Sequence, residues 1–317
     1  LNRAESALAG DFVTDHVFGN TSTDLKLEVI ERYLNAYTTA LRSKFNHLWY
    51  IDAFAGAGHR TIIHPEVRGS ILEEEREAFR EQRRGSARIA LDARPRFDRL
   101  TFIDQKPGHV RALQALAAEH PDRVIDVVRG DCNDIIPRAL AGERWAGKRA
   151  VMFLDPYGLN VDWTTLEVIR RTNSIDVWYL VNINGILRQA AKALSAVDGH
   201  KQRRLTRMFG TEDWRSAWYE LRPDQVSLFE DLDLGETARD SSRTADEAAV
   251  EEWVKRRLGS LFPWVSKPLR LYMDGKGVHQ FSLFFALSNA SGPAMGLAQR
   301  LAGDVINKGI SSQTRPW

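Results

Sequence analysis

Acids close four apolar runs of this chain: Asp52 in WYIDAFAGAG, Asp104 in TFID, Asp131 in VVRGDCND and Asp155 in VMFLDPYG. The first acid leads through Phe54 into Gly56 and Gly58. A strand that breaks into such a turn presents bare backbone, which can press against a ligand where a Cβ would collide. One G-x-G is weak by itself. Its weight comes from the acids that follow in order, each after a strand-like run. In an open α/β sheet such positions lie beyond the carboxyl ends of the strands, where ligands bind.

Two departures separate this loop from a dinucleotide fingerprint. Thr61 stands where a third glycine would pack helix on strand. The ribose acid belongs about 20 residues on, whereas Asp104 comes much later. Cys132 is the sole cysteine, so neither an intrachain disulfide nor a cysteine metal cluster can form. No basic neighbour activates it, and a buried structural thiol is expected rather than a nucleophile. The eight histidines are scattered. His59 and His64 flank the glycine loop without a spaced partner, so no metal site is expected.

A sheet must hold these acids. Strands are expected over 46–53, 98–104, 123–131, 149–156 and 174–183, with helices over 107–119, 133–141 and 162–172 and a short one from Gly85-Ser86. Near-continuous apolar strands alternating with amphipathic helices mean a mostly parallel sheet covered on both faces. Ahead of it, residues 1–44 hold an irregular segment, then a helix from Thr23-Asp24 to about Leu41. Its apolar stripe runs Leu25, Leu27, Val29, Ile30, Tyr33, Leu34, Tyr37. The cofactor-binding core is expected over 45–183. It is interrupted by a loop at 59–85 whose second half reads as a charged helix or solvated excursion. Residues 184–243 read as a basic, mostly helical insertion for substrate recognition or a lid. Residues 244–317 complete the core. There Thr244-Ala-Asp-Glu247 looks like a capping box for a helix to about Leu261. A hairpin of 268–274 and 279–287 follows, turning at Gly275-Lys276-Gly277, then a helix over about 293–307.

With 317 residues, 43% hydrophobic and 27% charged, the chain suits one generous α/β domain with insertions, or two small ones. No apolar run approaches the ~20 residues that span a bilayer. Together with the lone cysteine and the lack of a basic-then-apolar opening segment, this makes the cytoplasm the expected compartment and a membrane partner unexpected. Net charge is only +2, so local clusters matter. One runs from Arg76 to Arg99, with interleaved acids at 73–81 typical of a solvated face. The other is HKQRRLTR at 200–207. There Arg203, Arg204 and Arg207 could meet phosphates, and Trp214 could stack on a base. The spacing of Trp214, Trp218 and Tyr219 favours the core of the insertion over stacking on a base.

The succession KLEVIERYLNAY, YIDAFAGAG, GSARIAL, FID, GDCND, FLDPYG and IDVWYL resembles the three-Cys-motif partner proteins, within the class I S-adenosylmethionine-dependent methyltransferases. The resemblance covers about residues 25–307. It implies an α/β, Rossmann-like sheet, mostly parallel, with a C-terminal antiparallel hairpin. It also implies S-adenosylmethionine as cofactor. Asp52 would take its ammonium, and the Phe54–Gly56–Gly58 loop its carboxylate. Asp104 would take the ribose hydroxyls, and Asp131 the adenine amino group beside the backbone of Cys132 and Asn133. Asp155-Pro156-Tyr157 resembles the D-P-P-Y signature of amino-group methyltransferases with one proline missing. Asp155 would then accept from the amine and Tyr157 would stack on an extruded base. The implied activity is methyl transfer to nucleic acid, most plausibly a base amino group. A small-molecule methyltransferase, or a non-catalytic subunit serving a partner protein, stays open.

Overall fold

The structure, a computed structural model, describes residues 21–64, 79–221, 241–272 and 277–313. The expectations for residues 1–20, for the middle of the first inserted loop and for most of the 275–277 turn lie outside them. Helix α1 (Thr21–Leu41) leads into β1 (His47–Asp52). Past the glycine loop, β2 (His59–His64) and β3 (Phe79–Arg84) pair antiparallel as a ribbon of their own. Regular alternation follows: α2 (Ser86–Asp92), β4 (Arg99–Asp104), α3 (Pro107–Ala118), β5 (Val124–Arg129), α4 (Cys132–Leu140), β6 (Lys148–Leu154), α5 (Trp163–Arg171) and β7 (Ile175–Val181). The second insertion holds α6 (Ile183–Gln189), α7 (Gly199–Phe209), α8 (Trp214–Trp218) and the small antiparallel pair β8 (Tyr219–Leu221) and β9 (Ser241–Arg243). The chain closes with α9 (Glu247–Gly259), β10 (Trp264–Val265), β11 (Leu269–Tyr272), β12 (His279–Leu287) and α10 (Gly292–Gln313).

The main sheet runs β10-β12-β7-β6-β1-β4-β5, with β11 also pairing with β12. The five strands from β5 to β7 are parallel. Strand β12 is antiparallel to β7, and β10 and β11 are antiparallel to β12. This is a doubly wound, Rossmann-like sheet, mostly parallel and closed at one edge by antiparallel strands. The chain winds outward from β1 through β4 and β5, then crosses back to β6 and β7. The switch point therefore lies between β1 and β6, and a crevice opens beyond their carboxyl ends.

Both faces of the central strands are apolar because both are covered. Trp49 and Ile51 of β1 pack in the core under α4, α5, α6, α7 and α9, whereas Leu48 and Tyr50 pack under α1, α2, α3 and α10. Side chains alternate with a period of two. Asp52 follows Tyr50 and Asp155 follows Phe153 on the second of these faces. Strand register puts Asp52 opposite Phe153, which brings the two acids to adjacent strand tips.

Two local expectations are corrected. Residues 79–84 form a strand, not part of a helix, because 59–64 supply a ladder partner across Thr61↔Gln82 and Ile63↔Arg80. Their charge pattern offers a helix no apolar face to bury, while Thr61, Ile62 and Ile63 favour extended backbone. Helix α9 is capped by Asp246, which accepts from the Ala249 N–H at 2.8 Å. Thr244 is not the cap, because the helix starts at Glu247 and Thr244 lies two residues ahead of Asp246, where its N–H donates to the Trp218 carbonyl at 3.0 Å. Among the described residues, no helix is long and apolar enough to cross a membrane.

Candidate active site

Asp52 is wholly buried at the tip of β1. Its Oδ1 accepts from the Phe54 N–H at 3.2 Å and its Oδ2 from the Tyr50 hydroxyl at 3.3 Å. Burial pushes its carboxyl up to about 7, against the hydrogen bonds from Ser86, Phe54 and Tyr50. All three of these partners are neutral and the charge of Asp155 raises the carboxyl further, so among the described residues Asp52 is an acid in a dry place with no cation bonded to it. The two glycines beside it do different things. Gly58, at φ +76°, lets the loop settle on α3, since a Cβ there would lie 3.1 Å from Leu116 Cδ2. Gly56, at φ +62°, faces open space, with nothing within 4 Å of where a Cβ would stand.

Asp104 ends β4 and is tied to the same loop. Its Oδ2 accepts from the Gly56 N–H at 3.0 Å and meets His109 Nδ1 at 3.1 Å, while Oδ1 accepts from the Lys106 N–H at 2.8 Å. Burial would raise this carboxyl, but the His109 bond and the two backbone N–H groups outweigh it and hold it below the ordinary range. His109 is a site residue that sequence reasoning missed. Its signal is its place one turn after Asp104, with Pro107 opening α3 between them.

Asp131 caps α4, accepting from the Asn133 backbone N–H at 2.8 Å, and its Oδ2 accepts from Gln105 Nε2 at 3.0 Å. Asn133 then braces the loop that follows β6. Its Nδ2 donates to the Asn160 carbonyl and its Oδ1 accepts from the Asp162 N–H. Cys132 is buried, and its thiol is pushed up to about 12 by burial and by Asp131 and Asp162. It cannot supply a thiolate near neutral pH, so its place is packing beside Asp131.

Asp155 carries the feature that the sequence did not disclose. Lys26, on α1, is only 8% exposed and donates from Nζ to Asp155 Oδ2 at 2.5 Å. The ammonium also lies 5.9 Å from the Phe153 ring centroid. Lys26 falls on the apolar stripe of α1 with Val29, Ile30, Tyr33 and Tyr37. A lysine on a stripe that must be buried was the available signal, since a buried ammonium needs a partner. Pro156 is buried, whereas Tyr157 is 49% exposed. The Tyr157 ring lies 4.7 Å from Lys106 Nζ, so it leans from the tip of β6 towards β4. Burial, then the fields of Asp104, Asp155 and Asp52, push its hydroxyl up to about 12. Tyr157 thus roofs the crevice between the acids.

The proposed substrate surface changes most. Trp214 is wholly buried, packed edge-on to Tyr219 and 6.0 Å from Trp218, so its faces are not presented to a base. These aromatics serve as core, because Trp214, Trp218 and Tyr219 extend the apolar cluster on the Trp49 face of the sheet into the insertion. Arg207 is bound to Asp162 at 2.8 Å, which anchors α7 to the start of α5. Arg203 and Arg204 remain on the exposed side of α7. In the first arginine cluster, Arg83, Arg84, Arg88, Arg96 and Arg99 each pair with an acid. Among the described residues, no group of three or more His, Cys, Asp or Glu could hold a metal ion.

No protein-family model matches the chain, and no curated protein matches its sequence. Its fold is similar to solved structures at low identity. Protein LPL1258 from Legionella pneumophila is 14% identical, with a TM-score of 0.46, over 92% of this chain and 95% of that one. An S-adenosylmethionine-dependent methyltransferase from Clostridium acetobutylicum is 10% identical, with a TM-score of 0.33, over 81% and 91% of the two chains. A DUF574-family protein from Streptomyces avermitilis is 11% identical, with a TM-score of 0.36, over 82% of each chain.

Proposed function

We propose that this chain is an S-adenosylmethionine-dependent methyltransferase whose acceptor is an amino group, most concretely the exocyclic amine of a nucleic-acid base. The observation that carries the reading is Asp52, a buried acid without a cation, beside open space at Gly56. An amino-acid ammonium fits that place. When bound, the cofactor supplies a methyl group on a positively charged sulfur, which departs with the electron pair of the broken C–S bond. Asp52 takes the ammonium and the glycine loop receives the carboxylate. Asp104, already shaped by Gly56, Lys106 and His109, has acceptor capacity left for one ribose hydroxyl. Asp131 faces the adenine amino group.

Asp155 handles the acceptor. Lys26 fixes Oδ2, so Oδ1 can accept an N–H from the amine, aim its lone pair at the methyl carbon, and pass to solvent the proton that the methylated nitrogen sheds. Such placement is the main requirement when the electrophile is already strong. Pro156 stiffens this tip, and Tyr157 provides a face for an extruded base. Arg203 and Arg204 are the side chains available to phosphates. The succession of motifs supports membership among the three-Cys-motif partner proteins and a protein partner. A small-amine acceptor is the second reading, favoured by the buried Trp214 and the paired Arg207.

The test is transfer of labelled methyl from S-adenosylmethionine to total nucleic acid by the purified chain. Asp155→Ala is expected to lower it by about a hundredfold or more and Lys26→Met by about tenfold, the scale of losing one oriented group. Binding to oligonucleotides should weaken steeply with salt. Transfer to small amines with salt-independent kinetics would select the second reading. Cofactor binding with no transfer to any acceptor would refute catalysis and leave a binding subunit.

A further inference from the structure

A second cavity lies at the opposite end of the sheet from the four acids. It has a volume of about 180 Å³ and sits between the end of α1, the first residues of β6 and β7, and the start of α10. A cavity near 150 Å³ holds a benzene-sized molecule. Its α10 wall is apolar, with Pro293, Leu297 and Leu301, and Leu287 adds the end of β12. The opposite wall is polar in a way that packing does not explain. The Tyr37 hydroxyl is buried and has no hydrogen-bond partner among the described residues. Leaving such a group unsatisfied is costly, and a ligand that accepts from it recovers that cost.

Charge decides what the ligand is. The ionisable groups lining the cavity, besides the tyrosines, are Lys44 after α1, Arg149 on β6 and Asp176 on β7, and the lining residues of α10 and of the 289–291 turn carry none. Arg149 is pre-set: its Nη1 donates to the Lys148 carbonyl at 2.7 Å and the Ser174 hydroxyl at 3.2 Å, and its guanidinium lies 4.2 Å from the Phe45 ring centroid. Asp176 accepts from the Tyr33 hydroxyl at 3.1 Å. Burial pushes its carboxyl up to about 7, although the Tyr33 bond and the Arg149 charge oppose this. Two cations therefore face one acid, and the charge around the cavity is net positive even with Asp176 ionised.

We propose that this cavity binds a small apolar monocarboxylate, its body against Leu287, Leu297 and Leu301 and its carboxylate on the Tyr37 hydroxyl and the Arg149 guanidinium. The bound anion raises Asp176 further, so binding takes up a proton. Nothing in this site depends on the methyltransferase reading.

The test is calorimetric titration of the full chain at pH 7.5 with benzoate, benzamide and benzylamine. Repeating the benzoate titration in two buffers of different ionisation heat measures proton uptake. Benzoate should bind at least about tenfold more tightly than either neutral or cationic relative, the worth of one charge-assisted contact. Tyr37→Phe and Arg149→Gln should each weaken it by about fivefold or more. Asp176→Asn should keep binding and abolish the proton uptake. S-adenosylmethionine affinity should be unchanged in all three variants, which separates this site from the crevice. No heat with benzoate, a preference for benzylamine, or folded Tyr37→Phe and Arg149→Gln variants that bind like the parent would overturn the proposal. Should a variant not fold, the comparison of the three ligands on the parent chain still decides.

Discussion

Asp52→Asn tests the crevice most directly, because it removes a carboxyl that folding drags from 3.8 up to about 7. An acid raised in this way binds its proton more tightly when folded than when unfolded. Below about pH 4 it costs the fold nothing. From there to pH 7 it becomes a growing penalty, which stays constant above. About three pH units at roughly 1.4 kcal/mol each set a ceiling near 4 kcal/mol. Asparagine keeps an acceptor for the Phe54 N–H but turns an amide towards Tyr50 or Ser86, which costs about 1 kcal/mol at any pH. Without ligand, the variant should therefore be about as stable as the parent at pH 4.5, where the two costs of about 1 kcal/mol offset each other, and about 1–3 kcal/mol more stable at pH 8. Asp176 titrates in the same window but is common to both proteins and cancels in the difference. Affinity for S-adenosylmethionine should move the other way. It should rise in the parent between pH 5.5 and 8 as Asp52 ionises, and fall by about tenfold or more in the variant, the value of one buried ion pair. Urea unfolding at both pH values, with calorimetric titration of the cofactor, measures both effects. Parallel stability profiles for parent and variant would refute the assignment of a dry, unpaired acid at Asp52.

Gly58→Ala should lose about 1–3 kcal/mol, since its φ of +76° strains any Cβ and that Cβ would press on Leu116. A drop in melting temperature of a few degrees checks this, and an unchanged value would mean that the loop shifts freely. Cys132 should resist iodoacetamide at pH 8 in the folded chain and react at an ordinary thiol rate in urea, because burial and its acid neighbours hold its thiol near 12. Rapid alkylation of the folded protein, followed by mass spectrometry, would contradict that placement.

The parallel core was legible because each of its strands is an apolar run bounded by an acid or a turn, and each helix shows one buried stripe. Asp52, Asp104, Asp131 and Asp155 could be placed at strand ends from local pattern alone. The 79–84 strand was not legible, since its charges carry no period that a covered sheet would impose. The cap of α9 was misplaced by two residues because Thr244 and Asp246 are both favoured cap types and local pattern does not choose between them. Trp214 and Arg207 looked like substrate contacts only while their neighbours were unknown. In the fold one is core and the other is an anchor for α7.

The sequence by itself determined the order of elements, the glycine loop and the acids at the strand tips, because those follow from side-chain period and backbone freedom within a few residues. Only the tertiary structure decided which charges meet. Lys26 and Asp155 stand 129 residues apart, and so do not signal each other locally. The pairing exists because α1 runs along the sheet and its first turns reach the tip of β6, where burial of its apolar stripe carries a lysine into reach of an acid. Burial likewise set Asp52 apart from Asp104: both end a strand, but one is left among neutral donors and the other is given a histidine.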